Sequence, residues 1–154
     1  MKVFFPGSFD PFTIGHANLV YRALNFADGI VIGIGVNSEK KSMFTPEQRL
    51  EAIKHYFEGE DKVEVITYSG LTATVARAKK CDAILRGVRD CIDFGYEQNI
   101  AHVNDNINSM ETIMLVTRPQ FQHISSSLSR EMYKYTGNLE YAISEFKEYL
   151  NNGK

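Results

Sequence analysis

Short apolar runs alternate along the chain with longer stretches whose apolar residues recur at helical spacing. Val3-Phe4-Phe5, Ile30 to Val36, Val63 to Ile66, Ala83-Ile84-Leu85 and Thr112 to Val116 are dense in strand-forming residues and read as strands. His16 to Phe26, Pro46 to Phe57, Leu71 to Lys79 and Phe94 to Ile107 read as helices, followed by two more over Ser125 to Tyr135 and Leu139 to Leu150. Strand–helix alternation predicts an α/β fold: a Rossmann-like, doubly wound, five-stranded parallel sheet with helices on both faces and C-terminal helices. The unbroken run Ile30-Val31-Ile32 suits a strand buried on both sides. Thr45-Pro46-Glu47-Gln48 supplies an N-cap, a proline at the first helical position and a capping-box glutamine. In the last helix Leu139, Ile143, Phe146 and Leu150 share one face, a stripe suited to core or subunit packing.

Composition narrows the class. A chain of 154 residues fits a single domain over 1–154, and 44% apolar residues give it a core that needs no staples. The charge of −2, from 17 basic and 19 acidic residues, excludes a general nucleic-acid binder, which needs a basic excess. A small anionic ligand needs only a few placed cations and stays open. Cys81 and Cys91 lie outside any C-x-x-C pattern and read as reduced thiols of a cytoplasmic protein. The N-terminus reaches Pro6-Gly7 after three apolar residues, which suits a strand and not a signal peptide. No run approaches the roughly 18–20 apolar residues of a membrane span.

Ligands of open α/β sheets sit beyond the carboxyl ends of the strands. That directs attention to Gly7 to His16, Asn37 to Lys41, Tyr68 to Thr72, Arg86 to Arg89 and Thr117 to Ser127. In the first, Gly7 lets a ligand or backbone come close, Ser8 offers a hydroxyl, and Asp10-Pro11 makes a turn. Thr13-Ile14-Gly15-His16 then opens a helix whose free amides favour phosphate. Gly15 clears space there, and His16 points a ring N–H into the same region. Taken singly, His16 reads as a histidine with a structural bond, Lys40 and Lys41 as solvated lysines, and Glu97 as a helix-surface acid. Gly33-Ile34-Gly35 hints at a dinucleotide dehydrogenase, but Asn37-Ser38 stands where the third glycine belongs and the glycines lie within a strand.

Thr13-Ile14-Gly15-His16 resembles the T-x-G-H signature of the nucleotidyltransferase superfamily, relatives of the class I aminoacyl-tRNA synthetases. Ile124-Ser125-Ser126-Ser127 resembles its I-S-S-S loop. Lys40 to Thr45, and Leu85 to Asp90 followed by Asp93-Phe94 and Tyr96-Glu97, resemble the bacterial phosphopantetheine adenylyltransferases, over essentially the whole chain. The resemblance implies transfer of adenylyl from ATP to 4′-phosphopantetheine by in-line attack, with positioning and charge stabilisation as the sources of rate. It implies His16 as transition-state stabiliser, with Lys40 and Arg89 as catalytic cations. Ser8, Lys40, Thr72 and Arg86 then fall to the acceptor. Ser8, Phe9, His16, Gly87, Val88, Arg89, Glu97 and the run Phe121, Gln122, His123, Ile124, Ser125, Ser126, Ser127 fall to ATP. His123 stands where relatives commonly carry an aromatic residue, and Thr72 where some carry methionine or leucine. Magnesium carried by ATP with no protein metal cluster, a homohexamer, and feedback binding of coenzyme A belong to the same implication. Two alternatives stay open. A related transferase for nicotinamide mononucleotide or glycerol phosphate would lack the Arg86-to-Glu97 region. A non-catalytic nucleotide sensor would lack some of the catalytic cations.

Overall fold

The computed structural model describes residues 1–151, so the last three positions of the expected domain lie outside it. The elements run β1 (Lys2–Gly7), α1 (Ile14–Ala23), β2 (Gly29–Gly35), α2 (Pro46–Tyr56), β3 (Val63–Tyr68), α3 (Thr72–Ala78), β4 (Ala83–Val88), α4 (Cys91–Asn108), β5 (Glu111–Val116), a 3₁₀ turn (Pro119–Phe121), α5 (Ser126–Thr136) and α6 (Glu145–Asn151). The five strands pair in parallel in the order β3-β2-β1-β4-β5. The chain winds outward from β1 to one edge, returns, and continues from β4 to the other. The switch point therefore lies between β1 and β4, and the crevice beyond Gly7 and Val88 is the natural ligand site.

Alternation along the strands builds two cores. Val3, Phe5, Ile30, Ile32 and Ile34 pack on one face with Leu19, Val20, Ile53 and Phe146. Phe4, Val31 and Ile84 pack on the other with Ala73, Ala76 and Met110. Gly33 belongs to this packing, because a Cβ there would overlap the Phe4 ring. Its role in the strand is steric, which removes the basis for a dinucleotide fingerprint.

Three helices differ by two residues or more from the ranges expected from sequence, each for a local reason. Helix α1 begins two residues early because Thr13 caps it, and it ends at Ala23, where Asn25 and Phe26 bond back three residues into a turn. Helix α4 begins at Cys91 because the Asp90 carboxylate accepts the Asp93 amide at 2.8 Å. The expected helix from Leu139 is confined to Glu145–Asn151. Residues 139–144 instead pair with the loop before α1: the Ile14 amide donates to Tyr141 O at 2.8 Å and the Ile143 amide to Phe12 O at 3.1 Å. Leu139, Ile143 and Phe146 are nonetheless buried, so their stripe packs the core.

Candidate active site

At the switch point lies a cavity of about 290 Å³, open between three segments. The T-x-G-H loop contributes Ser8, Thr13, Gly15 and His16; the end of β4 contributes Arg86, Gly87 and Arg89; the last loop contributes Phe121, Ile124, Ser125 and Ser126. A second cavity of about 350 Å³ adjoins it, lined by Lys40, Tyr68, Thr72 and Asn104. The two share Pro6, Gly7, Ser8 and Arg86 as a common wall.

His16 is fixed by the helix it starts. Its Nδ1 accepts the Thr13 amide at 3.0 Å, while Thr13 Oγ1 accepts the His16 amide at 3.3 Å, a reciprocal cap. A backbone amide can only donate, so Nδ1 carries no proton and the hydrogen sits on Nε2. Burial pushes the pKa down to about 3, and the cations of Arg86 and Arg89 push the same way. The ring packs edge-on against Phe9, centroids 5.1 Å apart, with Phe5 and Phe12 completing the aromatic wall. His16 thus offers the cavity a neutral N–H.

The glycines of the loop divide their work. A Cβ on Gly7 would stand 2.7 Å from Phe9 Cε1, so the group that approaches Gly7 closely is the Phe9 ring. Phe9 reaches that position through a φ of 49°, and Gly7 still lines both cavities, where its missing side chain leaves the expected close approach open. A Cβ on Gly15 would meet Thr13 Oγ1 at 3.5 Å and the Ile124 side chain at 3.8 Å, ordinary contacts that the protein can accommodate.

The cations are held with different firmness. Arg86 donates from Nε and Nη2 to the two oxygens of Glu97, each at 2.6 Å, and from Nη1 to Pro6 O at 3.0 Å. Glu97 is only 5% exposed, so it is not a surface acid. Arg89 is looser: its amide donates to Asp93 Oδ2 at 3.0 Å, and its Nε lies 3.6 Å from the same oxygen. Lys40 is exposed and lines the second cavity with Ser8 and Thr72. Lys41 lines only a neighbouring pocket with Asp10, Arg49 and Arg130, which Lys40 also lines; of the two lysines only Lys40 lines the second cavity.

Three supports were not singled out as site residues from the sequence. Buried Arg49 donates to Ser8 O at 2.6 Å. Arg130 donates to Asp10 O at 2.7 Å. The Asp10 carboxylate accepts the amides of Met43 and Phe44, each at 2.8 Å, tying the phosphate loop to the segment after Lys40. The one available signal was spacing: Arg49 and Arg130 each lie one helical turn beyond a residue already singled out, Thr45 and Ser126.

The serine loop is used differently from its hydroxyl count. Ser125 Oγ accepts the Leu128 amide at 3.0 Å as the N-cap of α5, and Ser126 Oγ donates to Pro11 O at 2.7 Å. Ser125 and Ser126, at the start of α5, line the cavity, where a helix N-terminus leaves backbone amides without helical partners. Ser127 turns to Arg130, its Oγ accepting Nη2 at 3.3 Å, and does not line either cavity. Val88 is buried, Gln122 donates to Arg89 O at 3.3 Å, and His123 packs on Tyr141 at 5.3 Å. None of these three lines either cavity, and Gln122 and His123 are exposed. In the second cavity the Thr72 hydroxyl bonds that of Tyr68 at 2.9 Å. Among the described residues no group of three or more His, Cys, Asp or Glu is placed to hold a metal. The two carboxylates of the cavity, Asp93 and Glu97, face arginines.

Comparison with known proteins identifies the family and the fold. Residues 4–132 match the family model described as cytidylyltransferase-like. A phosphopantetheine adenylyltransferase of Flavobacterium johnsoniae is 44% identical over 144 residues, covering 94% of this chain and 95% of its own. Another, of Phocaeicola vulgatus, is 46% identical over 134 residues, covering 87% and 89%. Among solved structures, a bifunctional NMN adenylyltransferase/ADP ribose pyrophosphatase from Francisella tularensis superposes with a TM-score of 0.68 at 18% identity. That superposition covers 94% of this chain and 45% of the larger protein, and it speaks to the fold alone.

Proposed function

Because the chain belongs to the cytidylyltransferase-like family and, within it, to the phosphopantetheine adenylyltransferases, we propose that it transfers the adenylyl group of ATP to 4′-phosphopantetheine, giving dephospho-coenzyme A and pyrophosphate in coenzyme A biosynthesis. The observation that carries this is the pair of cavities meeting at Ser8 and Arg86. One is walled by the two phosphate loops and suits ATP. The other, with Lys40 and Thr72, suits an acceptor whose phosphate lies at the junction.

In the proposed reaction an oxygen of the acceptor phosphate attacks the α-phosphorus. A new P–O bond forms as the bond from the α-phosphorus to the bridging oxygen breaks, and the electron pair leaves with pyrophosphate. The attacking oxygen is already anionic, so no base is required. A neutral His16 with its free N–H toward the cavity fits that need: it donates to the α-phosphate as charge builds. Lys40 and Arg86 hold the acceptor phosphate in line. Arg89 and the α5 amides take the charge of the leaving pyrophosphate. Magnesium fits as a companion of ATP held by phosphate oxygens and water, where it neutralises triphosphate charge, since the two cavity carboxylates already face arginines.

Two finer readings go with this. Coenzyme A shares the pantetheine arm and would compete for the second cavity. The cytoplasm is the proposed site of action, in keeping with the free thiols Cys81 and Cys91 and with the absence, among the described residues, of a helix long and apolar enough to cross a membrane.

The test is pyrophosphate release by purified protein with ATP and magnesium. The expected result is rapid release with 4′-phosphopantetheine, and release slower by orders of magnitude with nicotinamide mononucleotide or glycerol 3-phosphate. Release with either of those but not with 4′-phosphopantetheine would overturn the acceptor. ATP binding with no release from any of the three would favour the sensor.

A further inference from the structure

The carboxylate of Glu97 faces a protein group where a nucleotide contact was expected. Both its oxygens take N–H groups of Arg86 at 2.6 Å, in a side-on fork whose carboxylate is buried. The neighbouring Arg89–Asp93 pair, at 3.6 Å through one oxygen and with the arginine 40% exposed, has no such constraint. A guanidinium carries five N–H donors in a fixed plane. Glu97 takes two and the Pro6 carbonyl a third, so two have no protein partner among the described residues. Arg86 lines both cavities, whereas Glu97 lines only the nucleotide side. Seen from the acceptor cavity, the carboxylate stands behind the arginine.

We infer that Glu97 is a positioning residue for the acceptor: it acts through Arg86, locking the guanidinium plane so that the two remaining donors meet the acceptor phosphate. An Arg86 freed from this fork would rotate about its long side chain, and the phosphate would lose directed donors even though the cation remained. The pairing also offsets the arginine's charge, so that the anion is held by aimed hydrogen bonds more than by bulk attraction. This inference rests on the acceptor assignment above.

The test is steady-state kinetics on wild type, Glu97→Gln, Arg86→Lys and the double variant, with each substrate varied in turn. Glu97→Gln is expected to raise KM for 4′-phosphopantetheine about 10-fold or more and to leave KM for ATP within about twofold. The double variant is expected to be little worse than Arg86→Lys alone, because both changes remove one interaction. Should circular dichroism show Glu97→Gln unfolded, Arg86→Lys carries the test by itself: an ammonium cannot make the fork, and the acceptor KM must rise while that of ATP does not. An ATP KM raised 10-fold with the acceptor KM unchanged would overturn the inference and make Glu97 a nucleotide ligand. Additive effects in the double variant would overturn it as well. A wild-type enzyme that ignores 4′-phosphopantetheine would bring down the acceptor reading and this inference together. One that uses it, with variants failing as described, would bring down the inference alone.

Discussion

A histidine can serve a phosphoryl centre as base, acid or neutral donor, and in this protein the choice is made by Thr13. Its amide occupies Nδ1, the aromatic wall desolvates the ring, and Arg86 and Arg89 oppose a further positive charge. His16 is therefore expected in nitrogen-detected NMR as the Nε2–H tautomer, without titration between pH 8 and pH 5. A midpoint near the ordinary 6.5 would contradict the assignment. The sign for stability follows. The unfolded chain takes up a proton below about 6.5 and the folded chain only near 3, so this residue's contribution is intact at neutral pH and is lost as pH falls between those values. In the same terms His16→Ala should lower kcat by about 10²–10³, the usual cost of one transition-state donor. The T-x-G-H string located the histidine and its resemblance implied a transition-state stabiliser, but the tautomer follows from the folded Thr13 amide and the charge from burial and from Arg86 and Arg89, elsewhere in the chain.

At the scale of elements, the start of α1 offers the sharpest separation of fold from function. Gly15→Ala has ordinary room within the protein and improves helix propensity by roughly 0.5–1 kcal/mol, so the melting temperature should hold or rise by about 2–4 °C. If phosphate packs against that backbone, kcat/KM for ATP should fall at least about 10-fold in the same variant. Unchanged turnover would show that nothing packs there. The sequence reading did well where an element is defined by its own residues, as with the Thr45–Gln48 capping box, present at 3.1 and 3.0 Å. It failed over residues 139–144, where apolar spacing mimics a helix but the backbone partners are Phe12 and Ile14, far away in sequence. All three serine hydroxyls of the last loop bond the protein, but those of Ser125 and Ser127 do so as acceptors, so each keeps its own O–H to donate beside the helix amides.

At the scale of the whole molecule, the class of sheet was legible from alternation, while the strand order was not, because parallel pairing is settled between segments that share no local signal. That order matters most, since it brings Gly7 and Val88 to one crevice and so joins loops about 80 residues apart. The outer surface carries a further feature. Along α4, Ile92 is 88% exposed, Tyr96 63% and Val103 52%, all on one helix face. Such a stripe suits burial against another chain; if the hexamer implied by family resemblance forms, light scattering is expected to give about six times the 17.5 kDa of one chain. A single-chain mass at micromolar concentration would refute it. The wall shared by the two cavities has another consequence, this one for departure. Under the proposed assignment, dephospho-coenzyme A would span both cavities as one covalent molecule. When either half detached, the other would tether it nearby at high effective concentration and favour recapture. Pyrophosphate would have no such tether, so the architecture proposed to align two separate substrates predicts that pyrophosphate leaves first.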